Sequence, residues 1–127
     1  MTLETGAELP TQTYRVTRSD LVAYAAASGD QNPIHQSDEV ARSVGLPGVI
    51  AHGMYTLALA ARAVDTWAGA PGRVVELGAK FTKPVVVPEE GTEVEVAGTW
   101  RDERTIALTV TCAGETVLGN PVAVLRA

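Results

Sequence analysis

GMYTLALAARAVDTWA, residues 53–68, decides the fold because it is apolar on nearly every side of a helix. Only Arg62 and Asp65 carry charge, and alanine and leucine, both strong helix formers, dominate the stretch. A helix that is hydrophobic all round is expected to be buried all round. The rest of the chain must therefore supply a layer that wraps around a long central helix.

The second half of the sequence supplies that layer as strands in which apolar and polar residues alternate. The alternation predicts an antiparallel sheet with one covered face, and the short runs RDER and AGE are its turns. The predicted inward-facing positions are Val75, Leu77, Ala79, Phe81, Val94, Val96, Trp100, Ile106, Leu108, Val110 and Cys112. A last run, TVLGNPVAVL, contains Gly119 and Pro121, which indicate a bulge or an edge strand. The predicted fold class is α+β, a curved antiparallel sheet wrapped around one long central helix.

The first half predicts short elements on either side of a polar loop. TYRV indicates a short strand, and Thr17 is a candidate N-cap for a helix that ends at Gly29. A second short helix, DEVARSVG, is expected to begin at Ser37 or Asp38 and to end at Gly45.

Composition narrows the class of protein. The 127 residues fit one domain over 1–127, and the net charge of −5 argues against a nucleic-acid surface. The single cysteine, Cys112, cannot form an internal disulfide, and no cysteine–histidine cluster indicates zinc. The first residues lack the basic start and apolar core of a signal peptide, and no run reaches the roughly 18 apolar residues of a membrane span. We expect a cytoplasmic protein that binds neither nucleic acid nor membrane.

The polar loop SGDQNPIH, residues 28–35, places one of the two histidines of the chain five residues after an aspartate. A carboxylate and an imidazole can exchange protons at neutral pH, so Asp30 and His35 are candidate acid–base residues. Pro33 stiffens the loop, and Asn32 can bond to the loop backbone or orient a partner. The spacing alone also fits an ordinary turn in which the histidine caps or packs.

A calcium-binding loop is a further interpretation of the D-x-N pattern, and it fails on two positions. The sixth residue counted from Asp30 should be glycine and is His35, and the twelfth should be glutamate and is Ala41.

IAHGM, residues 50–54, is the second candidate segment because it lies at the expected start of the central helix. The first N–H groups of a helix have no partner within it, and the helix dipole makes that end electropositive. Glycine at position 53 would let a ligand approach these donors closely, and an enolate-like thioester oxygen is the kind of charge that they stabilise. Gly53 also fits a plain helix cap, and His52 fits a packed or hydrogen-bonded residue.

YAAASGDQNPIH followed by IAHGM resembles the hydratase 2 motif of the MaoC-like (R)-specific enoyl-thioester hydratases and dehydratases. The resemblance spans nearly the whole chain and implies the hot-dog fold. Within the family, the chain resembles the catalytic B subunit of actinobacterial (3R)-hydroxyacyl-carrier-protein dehydratases, which pairs with a related, non-catalytic hot-dog chain.

The resemblance implies a role for each motif residue. Asp30 and His35 would hold the water that is added or lost, and the N–H of Gly53 would be the oxyanion donor. The candidates on the substrate side are Asn32, Ser28 and His52. The implied reaction is reversible syn dehydration of a (3R)-3-hydroxyacyl thioester of CoA or acyl carrier protein, without metal or cofactor.

Two other functions stay open at this stage. Hot-dog thioesterases usually carry a carboxylate on the central helix, where this chain has only Asp65. A non-catalytic subunit that stabilises a partner is the other alternative. Open sheet edges need to be paired or covered, so we expect a homodimer or a heterodimer with a related hot-dog chain.

Overall fold

A six-stranded antiparallel sheet and one long helix form the frame of the molecule in the computed structural model, which describes residues 5–126. The helices are α1 (Arg18–Ser28), α2 (Asp38–Ser43) and α3 (Gly53–Ala68), with a 3₁₀ turn at Pro33–His35. The strands are β1 (Glu8–Val16), β2 (Val74–Phe81), β3 (Thr92–Trp100), β4 (Thr105–Cys112), β5 (Glu115–Thr116) and β6 (Leu118–Leu125). Their order in the sheet is β1-β3-β4-β6-β2, and β5 pairs with β4. No helix within residues 5–126 is long and apolar enough to cross a membrane.

Helix α3 has the bounds that the sequence predicts, and the left-handed Gly69 ends it. Its buried residues lie on one face and pack against the sheet: Thr56, Leu59, Ala60, Ala63 and Val64. The expectation that the helix is buried on every side is wrong for the single chain, since Met54 is 57% exposed and Ala58 and Arg62 are also exposed. The sheet curves around one side of the helix and leaves the other side open.

The helix approaches the sheet closely where Trp67 lies against Gly98 of β3. A Cβ atom at Gly98 would lie 2.8 Å from the indole ring. The ring is held there because Trp67 Nε1 donates a hydrogen bond of 2.7 Å to the carbonyl of Pro10. Glycine at this position therefore sets the distance between α3 and the sheet.

The predicted alternation is confirmed in the central strands β3 and β4, whose predicted inward-facing residues are all buried. In β2 it is wrong at both ends, because Val75 and Phe81 are 53% and 57% exposed. Register shifts interrupt this edge strand between Val74 and Glu76 and again after Gly78. A bulge reverses which side chains face the core, so the partly buried residues of β2 are Val74, Leu77 and Ala79.

Strand β6 lies between β4 and β2, so the edge-strand interpretation of Gly119 and Pro121 is wrong and the bulge is confirmed. The register moves two residues along β2 but three along β6, from Val122 to Gly119. The extra residue lets a proline sit inside the sheet without leaving a gap in the ladder, and Asn120 takes a left-handed φ of 48° beside it.

The helix ends in the first half follow their predicted caps. Thr17 forms a capping box with Asp20 at the start of α1, and Gly29 ends that helix with a φ of 80°. Ser37 caps α2, which stops at Ser43, slightly before the predicted end. Strand β1 is longer than TYRV and begins at Glu8.

Candidate active site

Short polar side chains fold the loop after α1 into a fixed turn. The N–H of Asp30 donates to Ser28 Oγ at 3.2 Å, and the N–H of Asn32 donates to Asp30 Oδ1 at 3.2 Å. Asn32 Oδ1 in turn accepts the N–H of Ile34 at 3.2 Å and caps the 3₁₀ turn. These bonds engage one carboxylate oxygen of Asp30 and leave Oδ2 facing His35.

The 3₁₀ turn sends the His35 ring into the interior, where the residue is 7% exposed. Its Nδ1 lies 2.7 Å from the carbonyl oxygen of Ile50. A carbonyl oxygen only accepts hydrogen bonds, so Nδ1 carries the proton and Nε2 of the neutral ring bears a lone pair. That Nε2 lies 4.0 Å from Asp30 Oδ2, too far for a direct hydrogen bond but close enough for one oxygen atom to contact both.

Hydrogen bonds on both sides hold the segment that leads into α3. The N–H of Ile50 donates to the Ile34 carbonyl at 3.2 Å, and the N–H of Ala51 donates to the Val85 carbonyl at 2.9 Å. Further back, Asp38 Oδ1 accepts the N–H of Val49 at 3.0 Å and a bond of 2.9 Å from Arg18. The hydrogen bond from Arg18 holds the pKa of the Asp38 carboxyl below its usual value, so this anchor is charged at neutral pH.

His52 is 2% exposed and lies against the ring of His35, with ring centroids 3.8 Å apart and planes 22° from parallel. Its Nε2 lies 3.1 Å from the carbonyl oxygen of Asp30. The edge of Tyr24 packs on the other side of His52 at 4.8 Å, and Tyr55 packs against Tyr24 at 5.3 Å. Burial raises the pKa of Tyr55, so its hydroxyl stays protonated at neutral pH.

Gly53 begins α3, and its N–H has no carbonyl one turn earlier in the helix to bond. The ring of Phe81 lies directly over it, because a Cβ atom at Gly53 would be 3.0 Å from the phenyl group. The electropositive end of α3 thus lies beside an apolar side chain, and Gly53 itself is exposed.

These groups line one cavity of about 610 Å³. Of the residues that the sequence predicts, five line it: Ser28, Asp30, His35, His52 and Gly53. Asn32 is not among the lining residues, and its side chain shapes the loop instead. Sequence reasoning missed Thr56, Phe81, Lys83 and Leu118, which also line the cavity.

Only one of the missed residues carries a signal in the sequence. Thr56 is buried and carries a hydroxyl one turn after Gly53 in an otherwise apolar part of the helix. Phe81 comes from β2, Lys83 from the connection after β2, and Leu118 from β6. Only the fold brings these three residues to the cavity.

A metal ion could also bind at this site, since Asp30, His35 and His52 offer ligand atoms within 4.8 Å of one another. The two imidazole rings stack almost in parallel, so their lone pairs do not converge on one point. His52 Nε2 also lies on the Asp30 carbonyl and needs its proton for that bond. The arrangement suits proton transfer better than metal coordination.

An antiparallel sheet curved around one long helix is the architecture of a hot-dog protein. The chain belongs to the family of the MaoC like domain, which it matches over residues 2–117. It is 36% identical to a solved MaoC-like dehydratase, with a TM-score of 0.93 over 98% of this chain and 40% of that one. It is 30% identical to the unliganded R-hydratase PhaJ1 from Pseudomonas aeruginosa, with a TM-score of 0.84 over 98% of this chain and 82% of that one.

Among curated proteins, the chain is 34% identical over 100 residues to the 3-hydroxybutyryl-CoA dehydratase of Methylorubrum extorquens strain AM1. That match covers 77% of this chain and 64% of the relative. The chain spans less than two thirds of the length of the curated relatives that it matches first.

Proposed function

We propose that the chain catalyses the reversible syn dehydration of (3R)-3-hydroxyacyl thioesters to trans-2-enoyl thioesters. One observation carries the proposal: the Asp30 carboxylate and His35 Nε2 face each other across 4.0 Å in the cavity that the start of α3 also lines. Such a site supplies proton donors and acceptors next to a backbone donor for a developing negative charge.

In the hydration direction, the pair deprotonates a water held between Asp30 Oδ2 and His35 Nε2. The resulting hydroxide adds to C3 of the enoyl thioester, and the same pair returns a proton to Cα. Dehydration is the reverse, in which the Cα proton leaves and the 3-hydroxyl departs as water. The N–H of Gly53 stabilises the enolate-like thioester oxygen formed between these steps.

The substrate class rests on the family and on the shape of the cavity. A relative is named a 3-hydroxybutyryl-CoA dehydratase and a structural neighbour an R-hydratase, which supports a (3R)-hydroxyacyl thioester. The carrier is CoA or acyl carrier protein, and the acyl chain enters the 610 Å³ cavity on its apolar side. Lys83 lines the cavity and is half-exposed, and a negatively charged carrier would compete for it with Glu115, whose carboxylate lies 3.4 Å from Lys83 Nζ.

The thioesterase alternative is less well supported. Asp65 is the carboxylate of the central helix and lies twelve residues after Gly53, about 18 Å along the axis. It does not line the cavity. A non-catalytic partner subunit would have no use for the Asp30–His35 pair, which is intact in this chain.

The proposal extends to the assembly and its setting. A single hot-dog domain over residues 1–127 would act in the cytoplasm as a homodimer, or as a heterodimer with a related hot-dog chain. The open side of α3 and the unpaired edge of β2 support a second chain, because both leave apolar side chains exposed.

Loss of enoyl-thioester absorbance with crotonyl-CoA tests the proposal on the purified chain. We expect turnover by the native protein and a loss of about 10²- to 10⁴-fold in Asp30→Asn and in His35→Ala, since each removes one acid–base group. Asp65→Asn is the matched control and should keep native activity. Near-native turnover in both site variants, with the fold intact by circular dichroism, would contradict the assignment.

A further inference from the structure

We propose that His52 is a positioning residue, which fixes the main chain of Asp30 and the ring of His35 so that the two reacting atoms face one point. The inference rests on the proposed function and adds to it a residue that acts through the acid–base pair. His52 is buried, and its position at the start of α3 does not explain why a histidine is there.

His52 occupies the N-cap position of α3 but does not cap that helix. Residues at this position are usually Ser, Thr, Asp or Asn, whose side chains accept an N–H of the first turn. Within the described residues, the His52 side chain accepts none of these N–H groups. The start of the helix therefore gives no reason for an imidazole at position 52.

The hydrogen bond to Asp30 gives that reason. His52 Nε2 lies 3.1 Å from the carbonyl oxygen of Asp30, and because a carbonyl only accepts, Nε2 must carry the proton. Nδ1 is left as an acceptor, and it is buried without a hydrogen-bonding partner within residues 5–126. A buried polar atom without a partner lowers stability. The Nδ1 atom of His52 is thus unfavourable for folding, whereas its Nε2 forms a hydrogen bond that serves the site.

The two histidines join the two site segments in opposite directions. His35, from the loop, donates to the carbonyl of Ile50 at 2.7 Å, while His52, from the segment before α3, donates to the carbonyl of Asp30. Between them, the N–H of Ile50 donates to the carbonyl of Ile34 at 3.2 Å. The hydrogen bond that each ring donates fixes the orientation of that ring. The stacked face of the other ring, 3.8 Å away, limits how far it can shift.

Asp30 depends on this bond because little else holds it. Its side chain is 54% exposed, and its other hydrogen bonds join it to Ser28 and Asn32, both within the same loop. His52 supplies the hydrogen bond that ties Asp30 to another part of the chain. Without that donor, the loop is free to move Oδ2 away from His35 Nε2, and misplacement by about 1 Å can lower a catalytic rate by about 100-fold.

Three variants separate the donor from the ring. His52→Gln keeps a donor near the Nε2 position, His52→Asn keeps an amide that reaches only to the Nδ1 position, and His52→Phe keeps the stacked ring without a donor. With crotonyl-CoA, we expect Gln to keep at least about a third of the native kcat, and Asn and Phe to lose on the order of 10- to 100-fold. KM should change little in all three, because His52 acts through Asp30 and not on the thioester.

Stability and loop protection give a readout that does not depend on turnover. Phe removes the unpartnered nitrogen as well as the donor to Asp30, two changes of opposite effect on stability, so its melting temperature should stay near native while its kcat falls. Amide hydrogen exchange in residues 29–35 should quicken in Asn and Phe and stay near native in Gln.

The two kinds of failure are distinguishable. Native kcat and native exchange in Phe and Asn, or a Gln variant as impaired as Asn, would overturn the role of His52. Absence of turnover in the native chain together with the expected exchange pattern would overturn the proposed reaction and leave the positioning role in place.

Discussion

At the scale of single residues, Gly53 shows how one position serves both packing and chemistry. The phenyl ring of Phe81 occupies the space beside the Cα of Gly53, and Gly53 also lines the cavity. A methyl group at position 53 would meet the ring at 3.0 Å, closer than most real contacts of a Cβ atom. It would also stand next to the proposed site of the thioester oxygen.

We therefore expect Gly53→Ala to lower crotonyl-CoA hydration by on the order of 10- to 100-fold, with a small change in melting temperature. Because Phe81 is 57% exposed, its ring can move aside at little cost. The double variant Gly53→Ala with Phe81→Ala separates the causes. Activity that stays low in the double variant supports the oxyanion role, and activity restored to the Phe81→Ala level would attribute the loss to the ring.

The sequence predicts some of these residues and not others, for physical reasons. The acid–base candidates Asp30 and His35 lie five residues apart within one short loop, so the sequence already indicates that they are close in space. The carbonyl of Ile50 fixes the tautomer of His35, yet every residue has a carbonyl and no side chain marks this one. The environment of Gly53 depends on Phe81, which comes from a distant strand.

At the scale of elements, the contact between α3 and the sheet depends on Gly98, where the Trp67 ring lies. Any side chain at Gly98 would overlap that ring, since a Cβ atom would lie 2.8 Å from it and 3.1 Å from Ile106. The indole is held by its bond to Pro10, and Ile106 is fully buried, so neither can move away easily.

Gly98→Ala should therefore lower the free energy of unfolding by about 1–3 kcal/mol, the usual effect of overpacking a core. Urea denaturation followed by circular dichroism measures it. Gly78→Ala, in edge strand β2, is the matched control, because within the described chain no atom lies within 4 Å of its added Cβ. Equal stability of the two variants would show that the helix can shift away from the sheet.

The elements themselves were predictable to different degrees. Central strands β3 and β4 are covered on one face along their whole length, so their alternation is regular and was interpreted correctly. Strands β2 and β6 each carry an irregular register at their shared border, and a bulge reverses the inward face without changing the composition. Glycine and proline in TVLGNPVAVL marked the bulge but not the position of β6 inside the sheet.

At the scale of the whole molecule, the open side of α3 and the edge of β2 leave apolar residues uncovered. Met54, Val75 and Phe81 are each more than half exposed, and within residues 5–126 β2 has a sheet neighbour on one side only. Exposed apolar residues beside an unpaired strand edge are typical of a surface that another chain covers.

Light scattering after size exclusion should accordingly give the mass of two 13.3-kDa chains at micromolar concentration. Val75→Glu places a charge on the edge strand and should shift the protein toward monomer. Val44→Glu, at the end of α2 and 63% exposed in the native chain, is the control and should leave the mass unchanged. A native protein that stays monomeric would contradict the homodimer.

The paired bonds between the two site segments limit how relatives could be recombined. Carbonyls of Asp30 and Ile50 each hold the imidazole of the opposite segment, so both backbones must match within a hydrogen-bond length. A chimera with its junction between residues 36 and 49 would take the two hydrogen-bonded segments from different parents. Their backbones would then not be matched for these two hydrogen bonds. Hybrid enzymes built on this fold should therefore keep residues 28–53 from one parent.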